Sequence, residues 1–166
     1  MTILWSDQRL LVEMATLGKN ARDILSIGIP RFDRNLLRSE LLTDHRIGDR
    51  RFLATLLPKN GVGAEVGVFT GLFSTALLEI AKPQHVYFVD PWWKAFGPLY
   101  PDWGSYTAYG KLQTRVAYEV ASRRISSSAD RAQIDVIVDF STSFFQRMPD
   151  RSFAWVYLDS THSYDG

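Results

Sequence analysis

An acid stands two residues before the first glycine of a turn between a predicted strand and a predicted helix. The residues are Glu65, Gly67 and Gly71, in the segment 64–71 (AEVGVFTG). Glycine has no Cβ and tolerates positive φ, so main-chain atoms can approach a ligand closely here. A carboxylate at this point repels a phosphate and attracts a cationic amino group. We therefore predict a ligand with an ammonium group, although a turn that binds nothing stays open.

The glycine spacing also bears on the class of ligand. A dinucleotide fingerprint needs Gly-x-Gly-x-x-Gly, whereas Gly67 and Gly71 are separated by three residues. A tightly wrapped pyrophosphate is therefore not indicated. An oxidoreductase that uses nicotinamide dinucleotide is the weaker interpretation.

A second acid, Asp90, directly follows the apolar segment 85–89. An acid at the end of such a strand can accept both hydroxyls of a ribose. Taken alone, Asp90 followed by Pro91 is more typical of a solvated turn. Beside the Glu65 turn, the ribose interpretation is favoured. Trp92 or Phe140 can flank the base of a nucleoside, although such aromatic residues are often core.

Asp159 and His162 follow the last predicted strand, in the segment 157–165 (YLDSTHSYD). Asp159 can orient a substrate or ligate a hard divalent cation such as Mg²⁺ or Ca²⁺. His162 can remove a proton from a substrate hydroxyl, and a structural role for this histidine is equally open. We predict that both residues are catalytic, with Asp159 as the candidate metal ligand.

Strands and helices alternate from residue 61 onward, which predicts an α/β domain with a parallel sheet covered on both faces. Ligands of such sheets bind beyond the carboxyl ends of the strands, where Glu65, Asp90 and Asp159 should converge. The predicted strands are 64–69, 85–90, 134–138 and 153–158. A helix carrying Phe73, Leu77 and Ile80 is predicted after Gly71, and further helices are predicted from 105 to 125 and from 143 to 148.

The chain divides into two predicted parts, an N-terminal helical cap over 1–60 and the ligand-binding domain over 61–166. Apolar residues recur at helical spacing over 6–27 and again near 36–42. The charged run 45–51 is interpreted as a solvated helix face. Residues 91–104 are predicted to form a loop, and its aromatic residues either close over the site as a lid or simply cover core: Trp92, Trp93, Tyr100 and Trp103.

The composition narrows the function classes. The 166 residues include no cysteine, which excludes disulfides, Cys-ligated zinc and thiol nucleophiles. The net charge of +1 gives no strong field toward nucleic acid or an anionic membrane. No apolar window approaches the roughly 18 residues of a membrane span. We expect a cytoplasmic protein with a small-molecule partner, and neither nucleic acid nor membrane as partner.

Three segments together resemble the class I S-adenosylmethionine-dependent methyltransferases: Ala64 to Gly71, Val89-Asp90-Pro91, and Val156 to Tyr164. The similarity is greatest to a bacterial group of small-molecule and sugar methyltransferases with an acid-x-x-His-x-Tyr signature. It implies S-adenosylmethionine as cofactor, a divalent cation such as Mg²⁺ as a possible second one, and O-methylation of a sugar or other small hydroxylated molecule.

The resemblance also implies a Rossmann-like fold. That fold has seven strands, and this sequence stops after the fourth, so we expect a truncated sheet with strand order 3-2-1-4 and an exposed apolar edge. A homodimer through this edge is one expectation, and the alternative is that the chain is a fragment of a longer protein. A non-catalytic S-adenosylmethionine-binding or assembly module is the alternative to an enzyme.

Roles follow from the resemblance for the matching residues. Glu65 and Gly67 hold the methionine end of the cofactor, Asp90 holds the ribose, and Asp159 with His162 prepares the acceptor. Ser143 matches a small polar position in the adenine region. The residues predicted to contact the cofactor are Glu65, Gly67, Val68, Phe69, Thr70, Gly71, Ser74, Asp90, Pro91, Trp92, Phe140, Ser141 and Ser143.

Overall fold

Four parallel strands form the sheet at the centre of the molecule. The computed structural model describes residues 50–160, together with residues 35, 36, 38 and 48. The strands are β1 (Val62–Val66), β2 (His85–Asp90), β3 (Gln133–Val138) and β4 (Trp155–Leu158). Their order across the sheet is β3-β2-β1-β4. The predicted α/β fold with a Rossmann-like parallel sheet, and its strand order, are confirmed.

Helices cover both faces of this sheet. They are α1 (Leu72–Ala81), the short α2 (Trp93–Phe96), α3 (Thr114–Ser128) and α4 (Ser141–Gln146), with a 3₁₀ turn at Gly104–Thr107. Leu77 of α1 and Val120 of α3 share one core with Phe88. On the opposite face, Phe144 of α4 packs with Val66. Both central strands carry runs of buried residues, as is typical of parallel sheets covered on two sides.

Several predicted boundaries are wrong by a few residues. β1 ends at Val66 rather than residue 69, because Gly67 and Phe69 have positive φ and cannot continue a strand. The helix predicted from 105 starts at Thr114, since Ala108, Tyr109 and neighbouring glycines also have positive φ. The predicted loop after β2 contains α2, and α4 begins at Ser141 rather than 143.

Little of the predicted N-terminal cap lies within the described residues. The predicted helix over 6–27 lies outside them, as does most of 36–42. Residues 50–55 are helical, and Leu36 and Ala54 are buried in the same core as α1 and α3. None of the described helices has the length and apolar run needed to cross a bilayer.

The outer strand β4 pairs only with β1 among the described strands. Two of its apolar side chains, Val156 and Leu158, are 38% and 61% exposed. The predicted exposed apolar edge is therefore present. The homodimer expected to form through it stays a prediction.

Candidate functional site

The carboxyl ends of β1, β2 and β4 lie side by side and support the turn 67–71. Val66 is in register with Val89 on one side and with Leu158 on the other. The N–H of Gly67 donates to the carbonyl of Val89 at 2.9 Å, and the N–H of Asp159 donates to the carbonyl of Val66 at 2.8 Å. The structure thus brings the predicted strand ends together at one edge.

Close packing by neighbouring backbone requires the two glycines of this turn. Gly67 has φ of 93°, and a Cβ there would lie 2.2 Å from the carbonyl oxygen of Asp159. Gly71 has φ of 76°, and a Cβ there would lie 2.9 Å from the Cα of Ala121 in α3. These glycines fit the turn against β4 and α3. The predicted contact of the turn residues with a cofactor stays a prediction.

Asp90 braces the turn through its carboxylate. Its Oδ2 accepts N–H bonds from Val68 and Phe69, both at 2.9 Å, and its Oδ1 accepts one from Trp92 at 2.9 Å. Burial raises the pKa of Asp90, and these three backbone bonds oppose the rise. The group is 6% exposed. Asp90 therefore has a structural role, and the predicted ribose contact stays a prediction.

Trp92 lies in the core rather than in a crevice. It is fully buried, its indole N–H donates to the carbonyl of Phe69 at 2.9 Å, and its ring contacts Tyr118 edge-on. In this conformation the ring has no surface to offer an adenine. Thr70 in the turn, with 1% exposed, is equally enclosed. Pro91, by contrast, is partly exposed.

Glu65 differs from Asp90 in having a buried oxygen without a donor. The residue is 1% exposed, and its Oε2 has no hydrogen-bond partner among the described residues. The buried hydroxyl of Ser74, in α1, is also unpartnered there. Burial raises the pKa of Glu65 to about 8, the nearby hydroxyl of Ser74 opposes the rise, and the negative charges of Asp159 and Asp90 add to it. A buried polar atom in this state favours a ligand that supplies a hydrogen bond.

Asp159 pairs with an arginine that sequence reasoning did not single out. Nη1 of Arg50 lies 2.6 Å from Oδ2 of Asp159, and the two side chains are 41% and 28% exposed. Tyr157 is in register with Glu65 across β1 and β4. Burial and the charge of Asp159 raise the pKa of Tyr157. These four residues, Arg50, Glu65, Tyr157 and Asp159, are called the acid–arginine cluster below.

The end of β3 forms a separate corner of the same edge. Asp139 accepts from Lys94 at 3.1 Å and from Arg147 at 2.6 Å. The bonds from Arg147 and then Lys94 lower the pKa of Asp139 to about 2. Phe140 follows at the start of α4 with 44% of its surface exposed, so its ring is accessible to a base. Ser141 and Ser143 lie in the same helix and are partly exposed.

His162 lies outside the described residues, so its predicted pairing with Asp159 stays a prediction. The described part of the chain contains no group of three or more His, Asp or Glu side chains able to hold a metal ion. The metal role of Asp159 is thus a prediction without a ligand set.

The aromatic residues of the predicted lid pack on each other. The ring of Tyr100 lies 5.2 Å from that of Phe96 and 5.8 Å from that of Trp103. Tyr100 also contacts Phe69 of the turn at 5.2 Å, with 3% of its surface exposed. Trp103 is 44% exposed. The segment covers the turn, and its motion as a lid stays a prediction.

A groove of about 950 Å³ lies away from this edge. Its lining includes Asn60 and Gln84, which precede β1 and β2, and Ala129, which follows α3. It therefore opens at the amino ends of the strands. Ligands of parallel sheets bind at the carboxyl ends, so we assign the candidate site to the turn and the acid–arginine cluster.

No family model matches this chain, and no curated protein is significantly similar to it. Among solved structures, the chain is similar to a cyclopropane-fatty-acyl-phospholipid synthase-like protein from Lactobacillus casei ATCC 334. The identity is 18% and the TM-score 0.41, over 74% of this chain and 39% of that protein. The chain thus spans about two fifths of that protein. At this identity and TM-score the match assigns no family, and the resemblance to the acid-x-x-His-x-Tyr group stays a prediction.

Proposed function

We propose that this chain binds S-adenosylmethionine at the turn 67–71 and transfers its methyl group to an oxygen of a small hydroxylated molecule, such as a sugar. One observation carries the proposal. Glu65 is buried beside a glycine turn, at the sheet edge where ligands of such folds bind, and its Oε2 has no hydrogen-bond partner in the part of the chain that the structure describes. An ammonium group supplies both the missing hydrogen-bond donor and the opposite charge.

The pKa of Glu65 gives this binding a pH signature. With a pKa of about 8, Glu65 holds a proton at pH 7 when no ammonium group lies beside it. An ammonium ligand needs the ionised carboxylate, so binding at pH 7 should release that proton. Above pH 8 the carboxylate is already ionised, but an α-amino group itself loses its proton near this pH. Affinity should therefore peak near pH 8.

Other residues of the edge fit supporting roles. When bound, S-adenosylmethionine supplies a sulfonium-linked methyl group that an oxygen nucleophile can displace. Asp90 holds the amides of Val68 and Phe69 in a fixed turn. The exposed ring of Phe140 offers a face for adenine. In this proposal Asp159 orients the acceptor hydroxyl and takes its proton as the oxygen displaces the methyl group.

Calorimetry tests the proposal directly. We expect S-adenosylmethionine and S-adenosylhomocysteine to bind the wild-type protein, and Glu65→Gln to weaken both by at least tenfold, because the amide carries no charge. Glu79→Gln is the matched control, since Glu79 is an exposed acid paired with Arg51. If neither ligand binds the wild type at millimolar concentration, the proposal fails.

A non-catalytic binding module is the second candidate. It is favoured by the pairing of Asp159 with Arg50, which engages the predicted catalytic acid in an ion pair. Incubation with S-adenosylmethionine labelled in its methyl group separates the two candidates. Label on a sugar acceptor, with or without added Mg²⁺, supports the enzyme. Tight binding without transfer to any hydroxylated acceptor supports the module.

A further inference from the structure

We propose that Arg50 makes the site selective for a ligand that carries a carboxylate next to its ammonium group. The acid–arginine cluster would then recognise the complete zwitterionic end of an α-amino acid rather than a simple amine. The inference rests on the proposed function, since it concerns the methionine end of the same ligand. It assigns a specificity-determining role to a residue outside the turn and the strands.

The placement of Arg50 follows from sheet geometry. Glu65 and Tyr157 are in register on adjacent strands, so their side chains project from the same face of the sheet. Asp159 directly follows β4, and its charge acts on both Glu65 and Tyr157. Nη1 of Arg50 lies 2.6 Å from the carboxylate of Asp159. The guanidinium and the buried acid therefore lie at the same end of the sheet, with Asp159 close to both.

The charges of the cluster are complementary to a zwitterion. Ionised Glu65 would neutralise the ligand ammonium. A ligand carboxylate would then face the negative charge of Asp159, which repels it unless a cation stands between them. Arg50 is that cation, because a guanidinium has five N–H donors in a planar fork and can bridge two carboxylates.

Exposure supports the availability of Arg50 to a ligand. Its side chain is 41% exposed although it already pairs with Asp159. Glu65, in contrast, is almost completely enclosed, with 1% exposed. The cluster thus contains an enclosed carboxyl group and an accessible guanidinium cation. A zwitterion can place its ammonium inward and its carboxylate outward against this pair.

Calorimetry with three nucleosides tests this selectivity. The probes are S-adenosylmethionine, its decarboxylated form, and 5′-methylthioadenosine, which has neither charged group. For the wild type we expect S-adenosylmethionine to bind on the order of 30-fold more tightly than the decarboxylated form, as one charge-assisted hydrogen-bonded pair provides. Arg50→Ala should reduce this ratio to about threefold or less, while binding of 5′-methylthioadenosine stays unchanged.

Two further variants complete the experiment. Arg51→Ala removes the neighbouring arginine, which pairs with the exposed Glu79, and should keep the wild-type ratio. Arg50→Lys keeps the charge but not the planar fork, and should give an intermediate ratio, which also serves if Arg50→Ala does not fold. An Arg50→Lys or Arg50→Ala protein that keeps the wild-type ratio overturns the inference, as does a wild type that does not discriminate. A wild type that binds none of the three nucleosides overturns the proposed function instead.

Discussion

Two buried acids at the same edge of the sheet, Asp90 and Glu65, meet opposite environments. Asp90 ends β2 and receives three backbone N–H bonds at 2.9 Å. Glu65 lies in β1, the neighbouring strand, and its buried Oε2 receives no bond from the described residues. Burial raises the pKa of both. Burial alone therefore does not distinguish the two acids, whereas the supply of hydrogen-bond donors does.

The difference divides the edge into two functional halves. Around Asp90, the turn amides and the indole of Trp92 are already satisfied by the protein. Around Glu65, the carboxyl Oε2 and the hydroxyl of Ser74 have no hydrogen-bond partner of good geometry among residues 50–160. The first half holds the backbone in place, and the second half is available for recognition.

The largest loss of stability is expected when Asp90, in the satisfied half, is replaced. In Asp90→Asn the amide NH₂ cannot accept, so at least one of the three backbone N–H groups loses its partner. We expect the free energy of unfolding at pH 7 to fall by about 3 kcal/mol in urea titrations. Asp102→Asn is the control, because Asp102 is exposed and accepts a single backbone bond from Gly104. A stable Asp90→Asn protein that no longer binds nucleoside would reverse the roles of the two acids.

Substitution of Glu65, in the unsatisfied half, should raise the free energy of unfolding, whereas substitution of Asp90 should lower it. Between the unfolded pKa of 4.5 and the folded pKa of about 8, the folded protein retains a proton on Glu65 that the unfolded chain has lost. The free energy of unfolding should therefore fall as pH rises through this window. Glu65→Gln should remove this fall and be more stable than wild type by roughly 2 kcal/mol at pH 8.

Urea titrations at pH 5, 6.5 and 8 measure this difference. Glu79→Gln, which alters an exposed acid, should follow the wild-type pH dependence. Parallel curves for Glu65→Gln and wild type would place Glu65 among the satisfied acids.

A pair of glycines tests whether the turn needs glycine for packing as well as for conformation. Gly67 and Gly97 both have positive φ, but a Cβ meets the carbonyl of Asp159 at 2.2 Å only at Gly67, and nothing within 4 Å at Gly97. We expect Gly97→Ala to lose about 1 kcal/mol of unfolding free energy and Gly67→Ala about 2 kcal/mol. Equal losses would show that β4 yields to the added methyl group.

The smallest effect is expected at Asp139, an acid held mainly by two side chains, with one backbone bond from Phe140. Arg147 lies 2.6 Å from Asp139 and is 58% exposed, so the pair is screened by solvent. Arg147→Ala should raise the pKa of Asp139 from about 2 toward its usual 3.8, as measured by NMR titration. The stability that the depressed pKa provides is present above pH 3.8 and is lost as the pH falls toward 2.

Lys94→Ala tests whether the effect on the pKa of Asp139 depends on distance, since Lys94 lies farther from Asp139, at 3.1 Å. Its effect on the same titration should be smaller. An unchanged pKa of Asp139 in both variants would show that its backbone bond from Phe140 is sufficient.

Much of the fold follows from sequence because its signals are local. The apolar run of β2 predicts that strand to the residue, and the alternation of strands and helices predicts a parallel sheet. The error at β1 arises because valine and phenylalanine favour strands, while the pairing of Asp90 with the amides of Val68 and Phe69 imposes a turn. Such a tertiary hydrogen bond overrides local propensity, and the sequence of the segment alone does not predict it.

The candidate site was predictable in position but not in its contacts. Parallel topology predicts that Glu65, Asp90 and Asp159 share an edge, and they do. It does not predict which acid the backbone satisfies, since that depends on the path of the turn. Arg50 was missed because it lies in a charged run typical of a solvated helix face. Arg50 and Asp159 are 109 residues apart in sequence, and only the fold brings them into contact. Local sequence patterns do not predict such a contact.

The bond between Arg50 and Asp159 has a consequence for the order of events during synthesis. Arg50 leaves the ribosome before any strand of the sheet, and Asp159 leaves it after all four. The ion pair can form only after all four strands have been synthesised, so a nascent chain should acquire selectivity for the zwitterion only once β4 has left the ribosome. Ligand binding from that step on would stabilise the assembled sheet against proteolysis.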